Sequence, residues 1–205
     1  MKALIVSYCP RGERSRTRQL VEYAVGFLKS KKAVVEVLDL AKEVPDLLTP
    51  ERLASYYRRN YMGEKLAGKD LAQLKKMDAM TAQLMAADLA VVAYPMYNFS
   101  QPAIVKAWFD SVMQKGKTWD FAQGGYAGLM KNRKALIIST SGGAYAGDLA
   151  GMDHSVPLSK LHLSFMGFAV EAVTGAGINR YPEKESDILG QAKAEIQKFL
   201  TGFAQ

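Results

Sequence analysis

Short apolar runs alternate with helix-spaced apolar residues along most of the chain. Lys2–Ser7 is a compact apolar run that ends in the turn Pro10-Arg11-Gly12, which reads as a buried strand entering a loop. Ser15 then precedes Leu20, Val21, Ala24, Val25 and Leu28, spaced as one face of a helix, with the Ser15 hydroxyl placed to cap it. Further strands are predicted over residues 33–40, 88–93, 134–139 and, more weakly, 168–174. Helices are predicted over residues 71–86, 102–114, 156–166 and 183–203, the second opening on Pro102, where a missing N–H costs nothing. Five strands alternating with helices predict an α/β fold: a doubly wound parallel sheet with helices on both faces. The near-continuous apolarity of the first, third and fourth strands fits burial from both sides.

Two stretches break the rhythm. Residues 49–69 hold Tyr56, Tyr57 and Tyr61 beside Arg58 and Arg59; residues 115–131 hold Trp119, Phe121 and Tyr126 with Gly124, Gly125 and Gly128. Both read as excursions from the sheet. Their rings either pack on themselves or form a dimer contact, since aromatics and Arg are enriched at interfaces. No repeat or linker divides the chain, so residues 1–205 form a single domain.

Composition narrows the class. One cysteine, Cys9, excludes an intrachain disulfide and favours a reducing compartment, so a cytoplasmic protein is expected. No apolar stretch reaches the ~20 residues of a membrane span, and no stable membrane association is expected. The formal charge of +7 leaves nucleic acid, an anionic surface or a phosphorylated small molecule as partners. Most basic residues are scattered and match no nucleic-acid motif, which sets nucleic acid aside. Four of the 27 (Arg11, Arg14, Arg16 and Arg18) crowd the loop at the first helix start. There Ser15 and Thr17 add hydroxyls to an anion-attracting helix terminus. The alternative is a plain N-cap with solvated arginines. The loop is neither a Walker loop nor Gly-x-Gly-x-x-Gly.

Two more strand ends carry unusual composition. Pro95-Met96-Tyr97-Asn98-Phe99 offers flat apolar surface beside backbone donors, as a planar heteroaromatic ligand requires, or else rings that cap the core. Thr140-Ser141-Gly142-Gly143 followed by Tyr145 permits close approach of backbone to a ligand, or is only a flexible loop. In open α/β sheets ligands sit at such carboxyl ends. Hydrolysis is disfavoured, because no Gly-x-Ser-x-Gly elbow is present. His154 and His162 lack metal-ligand spacing, so no metal is expected.

The Ser-x-Thr start, the Pro-Met-Tyr-Asn-Phe block and the Ser-Gly-Gly loop together resemble the FMN-dependent NADH-azoreductases, flavodoxin-like quinone reductases. The likeness continues through Lys106-Ala107-Trp108-Phe109-Asp110, Gly116-Lys117-Thr118-Trp119 and Leu163 to Phe168. It implies a flavodoxin-like fold and a homodimer that binds FMN. It also implies electrons drawn from NADH or NADPH and passed to quinones or azo compounds by ping-pong hydride transfer. By resemblance, Ser15, Arg16 and Thr17 hold the FMN phosphate, with Cys9 where relatives usually carry serine. Pro95, Met96, Tyr97, Asn98 and Phe99 line the ring, and Thr140, Ser141, Gly142 and Gly143 close its other side. Ser141 stands where many relatives have Arg. Tyr145, Phe121 and Phe165 are implied as substrate-positioning residues, Phe165 from the neighbouring subunit. The rival readings are a flavodoxin-type electron carrier and a non-enzymatic flavin-binding module.

Overall fold

The computed structural model describes residues 1–203. Five parallel strands form the central sheet: β1 (Lys2–Ser7), β2 (Val34–Asp39), β3 (Leu89–Pro95), β6 (Lys134–Thr140) and β7 (Ala169–Gly175), in the order β2-β1-β3-β6-β7. The predicted doubly wound sheet is therefore present, and its five strands fall within one or two residues of the predicted bounds. β1, β3 and β6 are central and buried, as their apolar runs imply, whereas β2 is an edge strand that exposes Val34 and Val37.

Helices α1 (Arg16–Ser30) and α7 (Glu185–Phe203) cover one face. They bury Leu20, Ala24, Leu28, Ile196 and Leu200 against Ile5, Val91 and Leu136. Helices α4 (Lys75–Met85), α5 (Ala103–Val112) and α6 (Ser155–Phe165) cover the other, where Trp108, Phe109 and Leu163 pack on Leu4, Val92 and Ile137. Alternate residues of each strand thus feed opposite cores.

The two excursions are ordered. Residues 50–60 form α2 (Pro50–Asn60), with Thr49 Oγ1 accepting from the Arg52 N–H at 3.3 Å and Pro50 in the first turn. β4 (Trp119–Ala122) and β5 (Gly125–Gly128) form a small antiparallel hairpin. The single helix predicted over 71–86 is instead α3 (Gly68–Gln73) and α4, broken at Leu74. Leu74 is fully buried with Met77 and Leu66, so the apolar spacing runs straight across the break and hides it.

The α2 arm is held by charge. Arg59 donates to both carboxylate oxygens of Asp78 at 2.6 and 3.0 Å and to Gln114 Oε1 at 2.9 Å. Lys117 reaches the same carboxylate at 2.7 Å. Burial alone would raise the Asp78 carboxyl, but these two cations outweigh it and hold the group below its ordinary value.

Candidate active site

Strand order reverses between β1 and β3: β2 lies to one side of β1, and β3, β6 and β7 to the other. A cleft of about 150 Å³ opens at this switch point, outside the strand carboxyl ends. Pro10, Arg11 and Ser15 line one wall, Pro95, Met96 and Tyr97 another, and Thr140 to Gly142 a third. The three strand-end loops singled out in the sequence are thus brought together.

The first loop ends in a capped helix terminus. Ser15 Oγ accepts the Arg18 N–H at 3.2 Å, as predicted for the cap. Among the described residues, the Arg16 and Thr17 N–H groups have no intrachain acceptor and stand free at the helix terminus. The Thr17 hydroxyl is buried and paired with Thr140 Oγ1 at 2.7 Å, which ties α1 to the end of β6. The arginine cluster is less available than its count suggests. Arg18 pairs with Glu13 and Glu22. Arg16 lies 2.6 Å from Glu185 Oε1 and donates to Oε2 at 2.9 Å. Arg11 is left lining the cleft with no carboxylate partner among the described residues.

Cys9 is not one of the cleft-lining residues. It packs against the α1–α7 core, and burial pushes its thiol up to about 11, partly offset by a hydrogen bond with Ser15. Such a raised value keeps the thiol protonated at neutral pH, as fits a packing group.

The second loop is a tight turn. Tyr97 and Ser100 exchange backbone hydrogen bonds at 3.0 Å, with Asn98 (φ 49°) and Phe99 (φ 67°) between them in the left-handed region. A left-handed Phe costs on the order of 1–3 kcal/mol and persists only where its surroundings enforce it. Here His154 on the α6 side donates its N–H to Phe99 O at 2.9 Å. Below the turn, the buried Tyr94 hydroxyl meets Ser159 Oγ at 2.6 Å, and Ser159 donates to Gln101 Oε1 at 2.6 Å. Burial pushes the Tyr94 phenol up to about 12, so it stays a neutral hydrogen-bonding group.

Two of the backbone N–H groups of the Met96 to Phe99 segment are used within the chain. Met96 donates to Thr140 O at 2.8 Å and Tyr97 to Ser100 O, so both are used internally. Asn98 and Phe99 carry the free N–H groups, and the strained turn is what frees them.

In the third loop, Ser141 Oγ donates to Gly143 O at 2.7 Å. A Cβ on Gly143 would lie 2.9 Å from the Tyr145 hydroxyl, and the Tyr145 ring meets Phe99 edge-on at 5.9 Å. Tyr145, Gly143 and Phe99 therefore lie together next to the cleft-lining Tyr97 and Gly142, but they and Asn98 are not among the residues that line the cleft. Ile178 and Asn179, after β7, also line the cleft, although the sequence reading did not single them out. The only sequence signal was weak: a Gly-x-Gly turn, Gly175 to Gly177, at a fourth strand end.

Phe121 and Phe165 are not part of this cleft. They belong to an aromatic cluster at the hairpin, where Trp119 meets Phe121 at 5.7 Å and Phe165 at 5.3 Å, and Tyr126 meets both. Lys115 sits over Tyr61 and Phe121 at 5.4 and 5.6 Å. The cluster borders a separate pocket of about 360 Å³ that also touches Leu53, Met113 and His162. His162 packs on Phe109 at 4.5 Å, and burial with the nearby Lys106 lowers it to about 4, so it is a neutral core group. No metal-ligating group of three residues occurs among the described residues. No helix among them is long and apolar enough to cross a membrane.

The donor set fits a flavin phosphate ester. Two free N–H groups lie at the helix end of the cleft, and Gly142 in its third wall allows close approach. Comparison with known proteins agrees. A family described by its flavodoxin-like fold matches residues 1–200. An FMN-dependent NADH:quinone oxidoreductase of Azospirillum brasilense is 34% identical, with 96% of each chain covered. That of Shewanella oneidensis is 33% identical over 96% of this chain and 98% of its own. Among solved structures, an azoreductase of Bacillus anthracis superposes with a TM-score of 0.88 at 24% identity, covering 97% of this chain and 98% of its own. An FMN complex of an FMN-dependent NADH-azoreductase from the same species gives 0.89 at 21% identity, covering 100% and 99%. At these identities the structures speak for the fold, and the sequence relatives carry the kinship. The chain belongs to the flavodoxin-like family that includes the FMN-dependent NADH:quinone oxidoreductases.

Proposed function

We propose that this protein is an FMN-dependent oxidoreductase that takes electrons from NADH and passes them to quinones and azo compounds. The observation that carries the reading is the cleft at the switch point, lined by Arg16 and Thr17, whose N–H groups have no intrachain acceptor among the described residues, with Met96 and Tyr97 on a second wall and Ser141 and Gly142 on a third. Relatives that share about a third of the sequence bear the matching activity in their names.

Bound FMN supplies the two-electron chemistry, and the chain positions it. The Arg16 and Thr17 N–H groups, aided by Ser15 and Arg11, hold the phosphate. The Asn98 and Phe99 N–H groups orient the polar ring edge. The Phe99 and Tyr145 rings exclude water, and the Tyr145 hydroxyl donates to a quinone oxygen. No acid–base residue is required of the chain, because the cofactor carries the redox chemistry. NADH and the acceptor occupy one open face in turn.

Reconstituted with FMN, the protein is expected to show flavin absorbance bands that bleach anaerobically with NADH and return with menadione. NADPH serves as the comparison donor. Double-reciprocal plots should give parallel lines. Absence of flavin bands after reconstitution would sink the proposal, and bleaching without quinone turnover would favour an electron carrier.

The working form is a homodimer, with Phe121 and Phe165 reaching the partner's flavin. Support comes from the contiguous exposed rings of the α2 arm and hairpin, with Phe121 56% and Tyr126 65% exposed. Sedimentation should give two chains for the wild type and one for Tyr126→Arg, with FMN retained and quinone turnover reduced. A monomeric wild type refutes the dimer.

A further inference from the structure

The loop after β7 carries a side chain that no strand-end motif announced. Four backbone hydrogen bonds bind this loop to the 141–143 segment. Ile178 donates to Ser141 O at 3.2 Å, Asn179 to Gly142 O at 3.1 Å, Arg180 to Gly142 O at 3.0 Å and Gly177 to Gly143 O at 2.8 Å. Such a lashed loop holds its side chains in place more firmly than a free one.

Asn179 is the polar side chain this lashing delivers to the cleft. Its amide lies flat against Gly142: a Cβ there would come 2.6 Å from Nδ2 and 3.0 Å from Cγ. Gly142 is therefore the residue that makes room for the amide. Among the described residues, neither the oxygen nor the nitrogen of that amide has a hydrogen-bond partner in the chain. Asn179 is exposed, so both ends of the amide are open to a ligand group that offers donor and acceptor together.

We propose that Asn179 is a cofactor-binding residue that hydrogen-bonds the uncharged part of the flavin, its hydroxylated chain or lactam edge, and not the phosphate. This rests on the FMN reading above. Phosphate oxygens accept only and would leave the amide oxygen unused, and the free N–H groups of Arg16 and Thr17 already serve them. Hydroxyl and lactam groups offer donor and acceptor together and satisfy both ends of the amide.

Asn179→Ala changes an exposed side chain, so the variant folds with an unaltered melting temperature. The test titrates apoprotein with FMN and with riboflavin, following quenching of flavin fluorescence. The expected result is a Kd raised about tenfold for both flavins by the same factor, the scale of one to two neutral hydrogen bonds. The absorbance maximum of bound FMN is read in parallel. An unchanged FMN Kd overturns the proposal. Weakened FMN binding with unchanged riboflavin binding also overturns it, by placing the amide on the phosphate. A wild type that binds neither flavin defeats the FMN reading itself, a distinct outcome.

Discussion

Gly128→Ala is expected to lower stability by about 3 kcal/mol and to loosen the aromatic cluster. β5 passes so close to the end of α6 that a Cβ at Gly128 would fall within the backbone of Met166 and Gly167, 2.6 Å from Gly167 Cα. The neighbours are main chain, so no side-chain rotation relieves the contact, and the hairpin must move. Overpacking against rigid neighbours typically costs 1–3 kcal/mol, occasionally more. The shift also strains the Met130 N–H to Met166 O hydrogen bond, 2.8 Å, which joins the segment after β5 to the end of α6. For a chain of this length, about 3 kcal/mol corresponds to a drop of roughly 6–12 °C in Tm, readable by calorimetry. Because Phe165 ends α6 and Phe121 lies on the hairpin, quinone turnover should fall more than FMN affinity. A variant with wild-type Tm would show that the hairpin is not anchored there.

Asp78→Ala is expected to cost about 2–3 kcal/mol at pH 7, because it strands Arg59 and Lys117, which share that carboxylate. The pH dependence has a definite sign. The folded-state pKa of Asp78 lies below its unfolded value of about 3.9, so its contribution is complete above that value. It is lost as pH falls through the depressed folded value. Urea melts of wild type and variant should therefore differ most at neutral pH and converge below about pH 4. A gap that does not narrow in acid would assign the effect to packing. Arg59 also grips Gln114, whose Nε2 donates to the buried Thr81 hydroxyl at 2.7 Å, so the loss should spread into the α4–α5 layer.

How far the sequence could be read depended on whether a segment buries an apolar stripe. β1, β3 and β6 do, and their runs mark them without ambiguity. α2 does not: residues 50–60 hold four charged side chains and bury only Ser55. Its periodicity is silent, and only the Thr49-Pro50-Glu51 start betrayed it as a helix. The α3–α4 break escaped detection for the opposite reason, because Leu74 satisfies the helical spacing while its backbone ends one helix and starts the next. The site followed the same logic. Loops after strands were marked by composition, but which of their atoms are free depends on pairings between residues far apart in sequence. Arg16 with Glu185, Thr17 with Thr140 and Met96 with Thr140 are of that kind.

The sequence by itself determined the strand–helix alternation, the cap at Ser15 and the three strand-end loops, because each is set by neighbours a few positions away. Tertiary structure alone decided four further things. It brought those loops to one switch point and withdrew two of the four loop arginines, Arg16 and Arg18, into ion pairs. It left the Asn98 and Phe99 N–H groups free through a strained turn, and it placed Asn179 in the cleft from a fourth strand end. The loop assembly, the Arg16–Glu185 pair, the His154 bond to Phe99 O and the Asn179 placement all depend on contacts between residues tens of positions apart, which local pattern does not encode.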